Sequence, residues 1–190
     1  MATEVDPRVT RSRSRLLEAA EDLMVESGVR SVTVDAVAER SGVAKSTLYR
    51  HWHSIEDLLL DVLRSAIPAA ADFDLASNFE DCLRRQMDAV ATALGQPRVA
   101  RMLPELLALW RDFPEIEVLV RSDRTANEEV LGEILAIGVR EGRIPADLDT
   151  TTVGTMLFGP IMMCAMFGEV DQIARVTEYT LARFLASYPT

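Results

Sequence analysis

Apolar residues in this chain recur three and four apart from one end to the other, and no stretch alternates apolar with polar residues for long. That period lines one stripe of a helix and cannot serve the two faces of a strand, so the expected fold is all-α. Leu16, Leu17, Ala20, Leu23 and Met24 predict a first helix over about 10–27, stopped by Gly28. Thr33 can cap a short second helix carrying Val34, Val37 and Ala38 inward, and Ser41-Gly42-Val43 reads as a tight turn. A third helix spans Lys45 to about Trp52, and Ser54 opens a fourth whose Ile55, Leu58, Leu59, Val62 and Leu63 form one stripe. Pro68 and the alanine-rich run to Ser77 break the pattern and divide the chain into 1–66 and 67–190. Further helices are expected near 78–94, 98–110, 114–141, 150–167 and 171–187, making about nine in all.

Thirty acidic against twenty basic side chains give a formal charge of -10, which disfavours wholesale attraction to a polyanion. With 48% apolar residues the chain can bury a sizeable core. Cys82 and Cys164 stand far apart in sequence and read as two buried thiols in a reducing interior. Glu18, Glu21 and Asp22 interrupt any apolar run behind the early arginines, so no signal peptide is expected. The apolar stretch from Met156 to Phe167 is too short to span a bilayer. The expectation is a cytoplasmic protein with no membrane partner.

Against that acidic background, residues 40–55 hold no acid while Lys45, Arg50, His51 and His53 gather with Tyr49 and Trp52. A helix, a glycine turn and a second short helix outline a helix-turn-helix, whose second helix enters the major groove of DNA. Val43, Leu48 and Trp52 have the spacing to pack inward, which turns Lys45, Ser46, Tyr49 and Arg50 outward. Lys45 and Ser46 would meet base edges, whereas Thr47, Tyr49 and His51 suit phosphates. Arg8, Arg11, Arg13 and Arg15 would form a basic arm ahead of the first helix. The same outline also arises in helical proteins that never touch DNA, with Tyr49 and Trp52 as plain core aromatics. An enzyme is disfavoured: there is no G-x-S-x-G, HExxH or phosphate-cradling glycine loop, and His51 and His53 lack nearby metal-binding partners. Neither a metal nor a cofactor is expected.

The segment TVDAVAERSGVAKSTLYRHWHSIEDLLLDVL, residues 33–63, resembles the N-terminal domain of the tetracycline-repressor (TetR) family of bacterial transcriptional regulators. Its turn glycine, its Thr-Leu-Tyr triplet and the aromatic followed by a capped helix fall at that family's spacing. The resemblance implies an N-terminal three-helix DNA-binding domain joined to a C-terminal ligand-binding and dimerisation domain. By position it implies that Lys45, Ser46 and Arg50 read bases, and that Thr33, Thr47, Tyr49 and His51 contact phosphate, with Arg11 and Arg13 as arm contacts. Three positions depart from the pattern. Ala44 removes the side-chain cap of the recognition helix, Ile55 replaces a frequent phosphate-binding lysine, and Asp35 puts an acid where some relatives are basic. Asp35 reads best as a stabiliser of its helix N-terminus, with acceptance from cytosine N4 as its alternative.

For the C-terminal half the resemblance implies a small apolar or amphipathic inducer and a homodimer. The expected pocket residues are Met87, Met102, Leu106, Trp110, Phe113, Met156, Phe158 and Met163, since methionines adapt to varied ligands and Trp110 offers a flat wall. The expected dimer contacts are Val153, Leu157, Ile161, Val176, Thr180 and Phe184, on the last two long helices. The implied whole is a ligand-responsive regulator of transcription, a repressor that holds a palindromic double-stranded operator as a dimer and releases it on inducer binding.

Overall fold

The computed structural model describes residues 7–66, 75, 77–109 and 114–188 of the 190. Nine α-helices and no strand occur among them: α1 (Pro7–Ser27), α2 (Val34–Ser41), α3 (Lys45–His51), α4 (Ile55–Ala66), α5 (Phe79–Leu94), α6 (Pro97–Leu109), α7 (Pro114–Arg140), α8 (Thr150–Met166) and α9 (Ile173–Ala186). A 3-10 turn, Val29–Ser31, links α1 to α2, and another, Val170–Gln172, leads into α9. The starts follow cap chemistry, because the first amides of a helix lack partners within it. Thr33 Oγ1 accepts from Ala36 N–H at 3.2 Å, Ser54 Oγ from Asp57 N–H at 3.2 Å, and Asn78 Oδ1 from Asp81 N–H at 3.0 Å. Asp149 Oδ2 accepts from Thr152 N–H at 2.8 Å. Ala44 stands at the cap of α3 and supplies no side-chain acceptor.

One boundary differs from the sequence expectation. Helix α1 starts at Pro7, about three residues ahead of the expected start, and Arg11, Arg13 and Arg15 are part of it, not of an arm ahead of it. Proline suits a first helical position, and the polar run behind it carries no apolar stripe to betray a helix before Leu16.

Two hydrophobic cores result. Leu16, Ala20 and Met24 of α1, Val37 of α2, Leu48 and Trp52 from α3 and its C-cap, and Leu58 and Val62 of α4 build the first. Phe79, Leu83 and Met87 of α5, Leu131 and Ile134 of α7, Val153, Leu157 and Ile161 of α8, and Leu181 and Phe184 of α9 build the second. Helix α6 belongs to both: Ala100 is buried in the second core, Met102 and Leu109 in the first, where Ile116 of α7 joins them. The expected division at 66/67 borders residues outside the described set, and the first core is completed by side chains from beyond that division. Cys82 and Cys164 are buried free thiols. Among the described residues no helix is long and apolar enough to cross a membrane.

Polar contacts tie α6 to α1 and the turn after it. Arg98 pairs with Glu21 and reaches Asp22 at 3.5 Å. Glu105 Oε2 accepts from the backbone N–H of Val29 at 2.7 Å, just after Gly28, whose φ of 80° lies in the left-handed region. A carboxylate from a distant helix thereby satisfies an amide that the turn leaves open. Replacing Glu105 by Ala strands that half-buried amide, which costs about 1–2 kcal/mol. Urea unfolding should show the midpoint falling for Glu105→Ala, while Glu105→Gln, which keeps an acceptor, stays close to the parent.

Candidate nucleic-acid interface

Gly42 ends α2 with φ 65° and ψ 23°, and its N–H returns to Glu39 O at 3.3 Å. A side chain is disfavoured there twice over: the backbone is left-handed, and a Cβ would stand 3.1 Å from Nη2 of Arg15. The turn then delivers α3 at a fixed register. Leu48 is wholly buried, Trp52 nearly so, and Val43 is half-buried against the same cluster. Lys45, Ser46, Tyr49 and Arg50 face solvent, with Tyr49 55% exposed, a large aromatic left open beside two cations. The structure therefore brings together the outward face that the spacing predicts. Thr47 and His51 are half-buried at its margins, and Thr33 is exposed with its hydroxyl oxygen already accepting from Ala36 N–H.

A brace fixes α3 against α1 and α4. The Trp52 Nε1–H donates to Asp61 Oδ2 at 2.8 Å, Arg13 pairs with the same carboxylate, and the Arg13 guanidinium lies 5.4 Å over the Trp52 ring. Arg13 is thus engaged inside the domain, unlike the free arm residue expected of it, because the helix that contains it turns it toward α4. Arg11 is exposed on α1. Ser12 Oγ and His51 Nε2 lie 3.1 Å apart, joining α1 to the end of the recognition helix. Burial, then the charges of Arg50 and Arg13, push the His51 pKa below its ordinary range. Beside α3, Asp35 of α2 forms an ion pair with Lys45, and this hydrogen bond raises the lysine's pKa. Sequence spacing could not show that pair, because its partners sit on different helices.

Met87 is sealed in the second core with Phe158 packed beside it, whereas Met102 is sealed in the first. Met156 and Met163 point outward, 51% and 54% exposed. Trp110 and Phe113, and the side chain of Leu106, lie outside the described residues. Of the expected dimer contacts, Val153, Leu157, Ile161 and Phe184 are buried within the chain's own core, and Val176 and Thr180 are half-exposed. Helix α8 is apolar nearly all round, so its sequence holds no stripe from which to choose a face. The outward face carries Met156, Pro160, Met163 and, just past the helix, Phe167; Met156 and Pro160 line an open groove of about 280 Å³ with Tyr179 and Thr180 of α9. A second open depression of about 530 Å³ is lined by Cys164, Glu169, Asp171, Gln172, Arg175 and Val176.

Gln86 is a residue that sequence reasoning passed over. It shares the α5 stripe with Phe79, Cys82, Leu83 and Met87, is 3% exposed, and donates through Nε2 to Asn127 O at 3.0 Å. Its Oε1 has no partner among the described residues. Its place at helical spacing among apolar residues was the available signal.

Comparison with known proteins decides what this architecture is. The family model described as bacterial regulatory proteins, tetR family, matches residues 16–62, and that of a tetracyclin repressor-like C-terminal domain matches residues 74–179. The chain belongs to the TetR family. Members are DNA-binding transcriptional regulators, not enzymes, and the tetR-family match runs from within α1 to within α4. The HTH-type transcriptional regulator SrpR of Pseudomonas putida is 25% identical over 192 residues, covering 98% of this chain and 89% of that protein. TtgR, a regulator of the same type from Pseudomonas putida, is 26% identical over 174 residues, covering 86% and 79%. Among solved structures, a TetR regulator from Haloarcula marismortui superposes with a TM-score of 0.77 at 15% identity, covering 94% of this chain and 98% of that one.

The depressed His51 pKa gives this TetR-family domain a signature. The folded state holds its proton less tightly than the unfolded chain, whose pKa is 6.5, so stability rises with pH. The full contribution is present above that value and is lost as pH falls through it. His51→Gln, which can still bond Ser12, should flatten the stability profile between about pH 7 and 5, measured by denaturant midpoints across that range.

Proposed function

We propose that this TetR-family regulator is a repressor that binds a palindromic operator as a homodimer through α8 and α9 and leaves it when a small apolar or amphipathic inducer binds. The observation that carries the reading is the exposed apolar face of Met156, Pro160, Met163 and Phe167 with Tyr179 beside it. Monomeric proteins rarely leave such contiguous apolar surface open. A twofold axis through this face is isologous, so two copies of α3 face the DNA in opposite senses, as inverted half-sites require.

The inducer's character draws on relatives. The FadR regulator of Bacillus subtilis, at 20% identity and a TM-score of 0.68, was solved with stearoyl-CoA, and a regulator of Saccharomonospora viridis, also at 20% identity, with choline. In this chain Gln86 supports an amphipathic inducer, since a buried carbonyl oxygen without a partner among the described residues favours a ligand that carries a hydrogen-bond donor.

The pairing is tested by replacing Met156 and Tyr179, which face each other across the groove, together with Glu. Charge on both sides of the groove should convert a dimer in analytical ultracentrifugation into a monomer. Affinity for the DNA flanking the protein's own gene should fall at least about tenfold in a mobility shift, because two half-sites no longer bind as one unit. An unchanged dimer would refute the interface. Stearoyl-CoA and choline, titrated into the DNA complex of the parent protein, supply the first inducer assay, with release of DNA as the expected result for an inducer.

A further inference from the structure

The Asp35–Lys45 ion pair lies on the DNA-facing edge, where an isolated acid would repel phosphate and where exposed pairs add little to stability. Asp35 lies in the first turn of α2 and Lys45 opens α3, so the helix-turn-helix geometry itself juxtaposes them. Both side chains are largely exposed, 78% and 57%, and each keeps capacity beyond the other: the ammonium has two further donors and the carboxylate further acceptor sites. The pair thus presents one donor group and one acceptor group side by side before any DNA arrives.

We infer that Asp35 and Lys45 act together to read one G·C base pair in each half-site, Lys45 donating to guanine O6 and N7 and Asp35 accepting from cytosine N4. In the major groove a G·C pair sets the guanine acceptors next to the cytosine amino donor, and O6 and N4 are themselves hydrogen-bonded across the pair. A donor and an acceptor already paired with each other therefore match that edge in kind. An A·T pair also sets a donor beside an acceptor, but its acceptor O4 neighbours the thymine methyl group, so the lysine loses its second acceptor. The acid serves a second purpose, because Lys45 tied to Asp35 is a poorer general phosphate binder than a free lysine and so contributes less to sequence-independent affinity. This inference rests on the DNA-binding role and adds the base pair that is read.

The test is selection from a random-sequence duplex library with the full-length parent, Asp35→Ala, Lys45→Ala and the double variant, with the melting temperature of each measured alongside. The parent should enrich sites with a G·C pair at one fixed position per half-site. At that position the parent should prefer G·C over A·T by about tenfold or more, and each single variant should lower the preference to about threefold or less. The double variant should relax no further position. Variants that relax different positions, or parent sites without such a pair, overturn the inference. So does an Asp35→Ala variant that binds all sequences more tightly with a steeper salt dependence and unchanged preference, since the acid would then only restrain the lysine. A drop in melting temperature with unchanged preference would leave Asp35 as a helix stabiliser and overturn it as well. Failure of the parent to enrich any sequence would strike at the DNA-binding role itself, a result distinct from all of these.

Discussion

Ala100 of α6 is buried among α5, α7, α8 and α9, while Met102 and Leu109 of the same helix are buried against α1 to α4. A thirteen-residue helix that serves two close-packed cores cannot shift in one without repacking the other, since interiors at native density leave no slack to absorb the movement. Arg98 and Glu105 reinforce the tie, one bound to α1 and the other to the turn that follows it. The orientation of the DNA-binding helices is thus set from the C-terminal half of the chain. A ligand that favours a different placement of α6 gains its leverage over α3 through these contacts, to the extent that it binds one placement better than the other.

On the DNA side the equivalent constraint is Asp61. One carboxylate from α4 receives the Trp52 indole N–H and pairs with Arg13, so α1, α4 and the end of α3 meet at a single group. Packing of Leu48 and Trp52 decides which face of α3 is hidden, and the Asp61 brace restricts how that helix can rotate. The chain carries a formal charge of -10, yet phosphate would meet Tyr49, Arg50 and Ser46 at contact distance, where fields from acids more than about 8 Å away are largely screened.

The helices were legible in the sequence wherever a stripe and a cap coincided. Thr33 and Ser54 mark starts that the structure reproduces, and Gly28 and Gly42 mark the stops. The outward face of α3 was legible because Leu48 and Trp52 are strongly apolar against polar neighbours. Helix α8 was not: with apolar side chains on every side, Val153, Leu157 and Ile161 could not be told from Met156 and Met163, and only packing against α7 and α9 sorts them. The start of α1 lies about three residues ahead of the expected one, since a polar first turn carries no stripe at all. Contacts between helices, such as Asp35 with Lys45 or Glu105 with Val29, depend on tertiary placement that no local pattern encodes.

The departures from the family pattern make sense together at the recognition helix. With Ala44 at its cap, α3 lacks a side-chain acceptor for its first amides, and in a seven-residue helix that loss is a large fraction of the intrinsic stabilisation. Ile55 likewise leaves the start of α4 without a cation. An edge poorer in caps and in phosphate-seeking charge leans on tertiary packing for its shape and on fewer groups for its affinity. Under those conditions a preformed pair such as Asp35 with Lys45 gains value, because fixing a donor and an acceptor in advance lessens the ordering that binding demands. The acid that looks misplaced on a DNA-binding surface is then consistent with an edge that favours discrimination over general attraction to phosphate.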